Sequence, residues 1–178
     1  APPLVRVGWP KAPWSPYQGV DYSEGEIHDA VTDFSPWIDE VETADAASAS
    51  ELAVRALVDG EVVACWQGRS EAGARALGGR SIIADPRRND MHARVNAIKR
   101  RELFRPLAPS VLAHEAEHWF EGVDAGASPY MSLTARVRPE RAAEIPAVVH
   151  VDGTARLQTV LASDAPWWAA LIAAFFAA

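Results

Sequence analysis

The stretch from residue 68 to residue 110 constrains this chain most, because it combines four glycines with most of the positive charge. Ten of the seventeen basic residues lie in it against four acidic ones, which leaves a net charge of +6 here and −13 elsewhere. A basic segment in an acidic chain produces a local positive electrostatic potential, which favours binding of a polyanion. The alternative is a basic surface that is simply exposed to water. The basic residues are Arg69, Arg75, Arg80, Arg87, Arg88, Arg94, Lys99, Arg100, Arg101 and Arg105.

Glycine spacing at the start of this stretch predicts a loop that follows a strand. Gly68, Gly73, Gly78 and Gly79 allow positive φ and a close approach of backbone N–H groups to phosphate. A flexible surface loop is the usual alternative for glycines alone. Arg75 and Arg80 favour the phosphate interpretation, since guanidinium groups bind phosphate bidentately.

Helix and strand patterns alternate along the chain and predict an α+β (mixed α/β) fold. In the first half, Ser23 and Glu26 form a capping box before an apolar helical repeat. The other elements expected there are a helix over 41–58 that stops at Gly60, a buried strand over 61–67, and a helix over 90–100 capped by Asn89.

In the second half, alternating patterns predict strands over 128–138 and 146–151, with a turn at Asp152-Gly153. Ser110 enters another strand. The last helix is apolar nearly all round and is expected to be buried or docked on a partner. Ser163 or Asp164 can cap that helix, and Pro166 suits its first turn.

Length and composition bound the class of protein. A chain of 178 residues suits one domain, and residues 1–20, rich in Pro and Trp, read as an extended arm or linker before a domain over 21–178. A net charge of −7 argues against a general nucleic-acid binder. The single Cys65 excludes an intramolecular disulfide and, with no signal peptide or membrane-spanning apolar run, leads us to expect a cytoplasmic protein.

Residues 114–118 read HEAEH, which matches the H-E-x-x-H zinc motif. On a helix, His114 and His118 would lie one turn apart, with Glu115 as base on a zinc-bound water. A five-residue match arises easily by chance, so an ordinary surface helix is the main expectation. A zinc hydrolase remains an alternative function.

Four ordered motifs resemble a known family. They are G-R-S-E-x-G-x-R-A-L-G-x-R-S-I-x-A-D-P from Gly68, K-x-R-E-x-F-R-P-x-A-P-S from Lys99, S-P-Y-M from Ser128 and H-V-D-G-T-A-R-x-Q-T-V from His150. The sequence resembles, from about Tyr22 to Val160, the C-terminal domain of the O-carbamoyltransferases that act in nodulation and on antibiotics.

The resemblance implies a YrdC-like fold, a twisted mixed β-sheet with flanking helices. It implies that the domain forms carbamoyl-adenylate from carbamoyl phosphate and ATP, with Mg²⁺ as the nucleotide's counter-ion and no protein metal site. A separate N-terminal domain, similar to the kinase-like fold of tRNA threonylcarbamoylation, would hold iron or another divalent metal and carbamoylate a small-molecule hydroxyl. The arm would join the two domains, and the chain would stop before the family's last strand. A YrdC-like basic cavity also suits RNA, so a non-catalytic RNA-binding module is a further alternative.

The resemblance also assigns roles to individual residues. Lys99 and Arg101 match the family's K-x-R pair, and with Arg105 they are the candidate catalytic residues. Arginines from three segments would then meet in one anion site. The candidate substrate- and nucleotide-binding residues are Arg75, Arg80, Ser110, His150, Asp152, Arg156 and Gln158.

Overall fold

A computed structural model describes residues 15–41 and 45–178. Most of the arm expected over residues 1–20 therefore lies outside the described residues. Its last residues run along the glycine loop, where the N–H of Gly19 donates to the carbonyl of Ser70 at 2.8 Å. The hydroxyl of Tyr17 donates to the carbonyl of Leu77 at 2.9 Å. These contacts attach the end of the arm to the most glycine-rich part of the chain.

Five α-helices and five strands form the described part of the chain. The helices are α1 (Glu24–Asp33), α2 (Ala46–Val58), α3 (Met91–Ile98), α4 (Ala116–Trp119) and α5 (Pro166–Phe176). The strands are β1 (Val63–Trp66), β2 (Arg80–Ile83), β3 (Ser110–Leu112), β4 (Leu133–Arg136) and β5 (Thr154–Val160). None of the described helices is long and apolar enough to cross a membrane.

The strands form two small sheets, which confirms the predicted α+β class. In one sheet β1 and β2 pair antiparallel, with Cys65 opposite Ser81. In the other, β5 is central, parallel to β3 and antiparallel to β4. The expected mixed pairing is therefore present, but it is confined to the three-stranded sheet, and β2 is not hydrogen-bonded to β3 within the described residues.

Two main apolar clusters hold these layers together. One lies between the three-stranded sheet and α4, where Phe120 and Leu157 are fully buried. The other packs α5 on α2 and β1 through Trp168, Leu171 and Val54. Each such side chain stabilises the fold by roughly 1.5–3 kcal/mol on burial, so α5 is fixed firmly beside the strands.

Several predicted elements are confirmed. Ser23 and Glu26 form the capping box of α1. The helix predicted over 41–58 begins at Ala46, with Asp45 as its cap. Gly60 ends it with φ +87°. Pro166 lies in the first turn of α5, as expected.

Other local predictions were wrong. The strand expected over 146–151 is a 3₁₀ helix at Pro146–Val148 followed by a turn, because proline has no N–H to give to a sheet. In the β1 region only Cys65 is buried on the strand, and Trp66 is 61 % exposed. The helix after Asn89 starts from Asp90 without a side-chain cap.

The last helix also differs in two ways from its prediction. Neither Ser163 nor Asp164 caps α5, because Ala165 occupies the cap position and the Ser163 hydroxyl donates to Asp164 instead. One face of α5 is buried, whereas Phe176 is 62 % exposed. The helix is therefore docked on one side rather than buried all round.

Candidate anion-binding site

A cavity of about 600 Å³ lies between β2, β3, the C-terminal end of α3 and one face of α5. Its floor is apolar and includes Met91, Leu171 and Phe175. Five cationic side chains from three segments line the same cavity: Arg75, Lys99, Arg101, Arg105 and Arg156. The structure therefore brings together most of the basic residues that the sequence predicted as a site.

These five cations have little compensating negative charge. Among the described residues, Glu102 is the one acidic ion-pair partner, 3.3 Å from the Nε of Arg105. Both side chains of that pair are more than half exposed, so the pair is weak. Asp85 also lines the cavity, but Arg87 holds its carboxylate at 3.0 Å. The cavity therefore keeps a net positive field.

Burial and, after it, mutual repulsion lower the pKa of two of the five cations. Burial lowers the pKa of Arg156, and the charges of Arg75 and Arg101 lower it further. Burial also lowers the pKa of Lys99, with a contribution from Arg101. The Nε of Arg156 is buried and has no hydrogen-bond partner among the described residues. An anion in the cavity would relieve this repulsion and give Arg156 its missing acceptor.

The end of α3 explains how Lys99 and Arg101 reach one cavity. Arg100 adopts φ +47°, the left-handed conformation usually taken by glycine at this position. Its N–H donates to Ala97, and the N–H of Arg101 donates to Asn96, which together form a Schellman motif. A non-glycine residue in this conformation carries strain of about 1 kcal/mol or more. The backbone reverses direction at Arg100, so the side chains of Lys99 and Arg101 on either side of it both line the cavity.

Asn96 organises the loop that follows and was not predicted from the sequence. It is fully buried, and its Nδ2 donates to the carbonyl of Arg105 at 2.9 Å. Its Oδ1 accepts a hydrogen bond from the Nε of Arg101. Arg101 also donates to the carbonyl of Pro106 at 3.1 Å. The guanidinium of Arg101 is therefore oriented before any ligand binds.

Glu71 organises the glycine loop and was also missed. One of its carboxylate oxygens accepts hydrogen bonds from the N–H groups of Leu77 and Gly79, both at 2.8 Å, and of Arg80 at 3.2 Å. Burial alone would raise the pKa of Glu71, but the backbone hydrogen bonds outweigh it and leave the pKa lowered. A negative side chain thus occupies part of the backbone nest that the sequence suggested for phosphate.

Gln158 joins the glycine loop to the strands below it. It is 3 % exposed, and its Nε2 donates to the carbonyl of Leu77 at 3.0 Å. Its Oε1 accepts from the hydroxyl of Ser110 at 2.8 Å and lies 3.4 Å from the Nε1 of Trp168. Of the two predicted binding residues, Ser110 lines the cavity and Gln158 lies behind it.

Arg80 was predicted beside Arg75, but it is not among the residues that line the five-cation cavity. Its guanidinium donates to the carbonyls of Gln67 at 2.9 Å and of Gly68 and Gly79, each at 2.8 Å. It also stacks over Trp66, 4.0 Å from the ring centroid. These contacts close the ends of the glycine loop, which leaves little of the guanidinium free for a ligand.

His150 and Asp152 shape the turn into β5 and do not line the cavity. Asp152 accepts hydrogen bonds from the N–H of Thr154 at 3.0 Å and from its hydroxyl at 2.7 Å. Because the hydroxyl of Thr154 donates to Asp152, the Nδ1 of His150, 3.1 Å away, donates to Thr154. The Nε2 of His150 is buried and without a partner among the described residues.

The HEAEH segment does not form the helix that a zinc site requires. His114 and Glu115 belong to a 3₁₀ helix (Ala113–Glu115), and α4 starts only at Ala116. His114 is 74 % exposed in its side chain, and His118 packs edge-on against Trp119. Within residues 15–41 and 45–178, no group of three or more His, Cys, Asp and Glu side chains could hold a metal ion. The structure gives the zinc-hydrolase alternative no support.

Sequence comparisons with known proteins identify a matching family and several similar relatives. The family described as Carbamoyltransferase C-terminus matches residues 54–178. Nodulation protein NolO of Bradyrhizobium diazoefficiens is 46 % identical over 121 residues, which cover 67 % of this chain and 22 % of that protein. Nodulation protein U of the same species is 38 % identical over 171 residues, covering 96 % of this chain and 28 % of the relative.

A relative named for an antibiotic substrate also matches. The 3'-hydroxymethylcephem-O-carbamoyltransferase of Streptomyces clavuligerus is 36 % identical over 169 residues, 95 % of this chain and 30 % of that enzyme. The chain thus spans between about a fifth and a third of the length of these relatives. Because the family's C-terminal domain matches residues 54–178, this chain belongs to the carbamoyltransferase family, as a counterpart of that C-terminal domain.

Proposed function

We propose that this domain binds carbamoyl phosphate and ATP in the five-cation cavity and forms carbamoyl-adenylate, which a carbamoyltransferase then uses on a small-molecule hydroxyl. The observation that carries the proposal is the convergence of Arg75, Lys99, Arg101, Arg105 and Arg156 with one weak acidic partner. Two phosphorylated molecules repel each other, and several uncompensated cations offset that repulsion.

Cavity size supports small molecules rather than a nucleic-acid chain. A volume of about 600 Å³ lies within the range of about 300–1,000 Å³ common for small-molecule sites. The apolar floor formed by residues such as Met91 and Leu171 suits a nucleobase, while the cations suit phosphates. The overall charge of −7 further disfavours extended contact with RNA.

In the proposed reaction the protein mainly positions the substrates and stabilises charge, and it forms no covalent bond to them. Water and carbamoyl phosphate give carbamate and inorganic phosphate. A carbamate oxygen then bonds to the α-phosphorus of ATP, the bond from that phosphorus to the β-bridging oxygen breaks, and pyrophosphate leaves with the electron pair. Lys99, Arg101 and Arg105 would stabilise charge on the reacting groups, while Arg75 and Arg156 hold the phosphates.

Metal and partner requirements follow from the same proposal. Mg²⁺ would enter with ATP and neutralise part of its charge. Asp85 is the carboxylate that lines the cavity, and Arg87 already holds it, so this chain's residues would bind the nucleotide's phosphates more than its metal. The family resemblance supplies the remaining proposals: an N-terminal transfer domain with its own metal, and a hydroxyl acceptor, as the name of the cephem relative indicates.

Pyrophosphate release tests the proposal. The protein with ATP and Mg²⁺ should release pyrophosphate only when carbamoyl phosphate is present, and Lys99→Ala should abolish the release. Arg55→Ala is a matched control, because Arg55 is an exposed cation on α2 outside the cavity. Release that does not depend on carbamoyl phosphate, or full activity in Lys99→Ala, would contradict the proposal. RNA binding that carbamoyl phosphate does not affect would favour the RNA-binding alternative.

A further inference from the structure

The hydrogen bonds of Gln158 decide whether the Ser110 hydroxyl can donate to a ligand or only accept from it. The Leu77 carbonyl can only accept a hydrogen bond, so the atom 3.0 Å from it must be the Nε2 of Gln158. The indole N–H of Trp168 can only donate, so the Oε1 must lie on its side, at 3.4 Å. The carboxamide therefore has one consistent orientation.

This orientation decides where the Ser110 proton goes. The Ser110 hydroxyl lies 2.8 Å from the Oε1 of Gln158, which is an acceptor, so Ser110 must donate to it. A hydroxyl has a single proton and two lone pairs. With its proton used inside the protein, the Ser110 hydroxyl can offer a ligand only its lone pairs, and Ser110 is one of the residues that line the cavity.

Ser110 is therefore a hydrogen-bond acceptor in a cavity that five cations line. Phosphate oxygens are also acceptors and gain nothing from the Ser110 lone pairs. A ligand that carries both a phosphate and an N–H group would satisfy the cations and Ser110 together. The carbamoyl group has such an NH₂, whereas the acetyl group of acetyl phosphate carries a methyl group of similar size.

We infer that Ser110, held by Gln158, accepts a hydrogen bond from the carbamoyl NH₂ and selects carbamoyl phosphate over acetyl phosphate. The inference rests on the proposed function. Ser110 is the residue that touches the substrate, and Gln158 is a positioning residue that acts through it. Leu77 and Trp168 orient Gln158 in turn, so the selective group depends on the glycine loop and on α5.

Direct binding measurements with carbamoyl phosphate, acetyl phosphate and inorganic phosphate test the inference. The wild-type protein should bind carbamoyl phosphate about tenfold or more tightly than acetyl phosphate, the effect of one hydrogen bond whose partner is otherwise left unpaired. Ser110→Ala should bind both acyl phosphates about equally and bind inorganic phosphate as the wild type does. Ser110→Thr keeps the hydroxyl and should keep the preference.

Gln158→Met provides a second variant that leaves Ser110 in place. Without the Oε1 acceptor the Ser110 hydroxyl is free to donate to a ligand oxygen, so the preference for carbamoyl phosphate should fall while inorganic phosphate still binds. Ser110→Ala decides the matter where Gln158→Met does not fold. Equal wild-type affinity for the two acyl phosphates, or a preference kept in Ser110→Ala, would overturn this inference alone. Failure of the wild type to bind any of the three phosphates would instead contradict the proposed function, and the inference with it.

Discussion

The carboxamide of Gln158 donates to the carbonyl of Leu77 at 3.0 Å and so ties the central strand of the three-stranded sheet to the glycine loop. The same carbonyl accepts a hydrogen bond from the Tyr17 hydroxyl at 2.9 Å. The carbonyl oxygen of Leu77 therefore accepts one hydrogen bond from a side chain of β5 and one from the end of the arm. This fixes the loop that carries Arg75 beside the strand that carries Arg156, which is how distant segments form one cavity.

Arg156→Gln tests how much one cation of the cavity contributes to ATP binding and to the stability of the ligand-free protein. We expect affinity for ATP to fall about tenfold or more, because a charged hydrogen bond to a desolvated phosphate contributes roughly 1.5–3 kcal/mol. The melting temperature of the ligand-free protein should stay the same or rise, because the variant removes a partly buried charge that Arg75 and Arg101 repel. Calorimetric titration and thermal unfolding measure the two effects. Arg55→Gln serves as the control, and an unchanged ATP affinity in Arg156→Gln would argue against its role.

Lys99 should react faster with acylating reagents than an ordinary lysine. Burial and the charge of Arg101 lower its pKa below 10.5, so more of the amine is unprotonated at pH 8–9. Pyrophosphate should slow the reaction, because an anion favours the protonated amine and covers it. Peptide mapping after brief labelling gives the rate at Lys99 with and without pyrophosphate. Labelling that is slow and insensitive to pyrophosphate would place the amine outside the anion site.

We expect the charge of Glu71 to stabilise the folded protein at neutral pH and to stop doing so in acid. Folding lowers the pKa of Glu71 from 4.5. The contribution of its carboxylate to the free energy of unfolding is therefore fully present above the unfolded pKa and is lost as the pH falls through the folded pKa. Glu71→Gln keeps an oxygen acceptor but has no charge to lose. Wild type should therefore be more stable than Glu71→Gln at pH 7, and the difference should shrink below about pH 4.5. Urea unfolding of both proteins between pH 7 and pH 3 measures this difference in the free energy of unfolding. A difference that stays constant over that range would contradict the prediction.

Gly78→Ala and Gly73→Ala separate backbone strain from steric contact. Both glycines have large positive φ values, +112° and +124°. A Cβ at Gly78 would lie 2.7 Å from the ring of Trp168, whereas nothing lies within 4 Å of one at Gly73. Gly73→Ala should cost about 1–3 kcal/mol from strain, and Gly78→Ala about 1–3 kcal/mol more from overpacking. Equal losses in the free energy of unfolding would mean that α5 does not pack on the loop in this way.

The sequence was sufficient for the fold class and for five of the six basic side chains assigned to one site, since those five line the same cavity. Helical and strand periodicities are local, so α+β layers follow from them. Phosphate chemistry needs arginine and lysine, and the ordered motifs indicate which basic residues belong to the site. Lys99, Arg101 and Arg156 line the cavity as the anion-site prediction requires. Whether they bind the proposed substrates remains a prediction.

The rest could not be predicted because it depends on contacts between distant segments. Ile98 lies at helical spacing from the buried Met91 and Val95, yet it is 54 % exposed, whereas Asn96 is fully buried. A polar residue enclosed by the carbonyls of the next loop gives no periodic signal. Arg80 illustrates the same limit, since no spacing rule distinguishes an arginine that closes a loop from one that faces a ligand.

A crystal structure with carbamoyl phosphate and a non-hydrolysable ATP analogue tests the central claim most directly. The account predicts phosphate oxygens within hydrogen-bonding distance of Arg75, Lys99 and Arg156, with Arg101 and Arg105 beside them. Phosphates bound on another face of the molecule, with those three side chains left free, would contradict it.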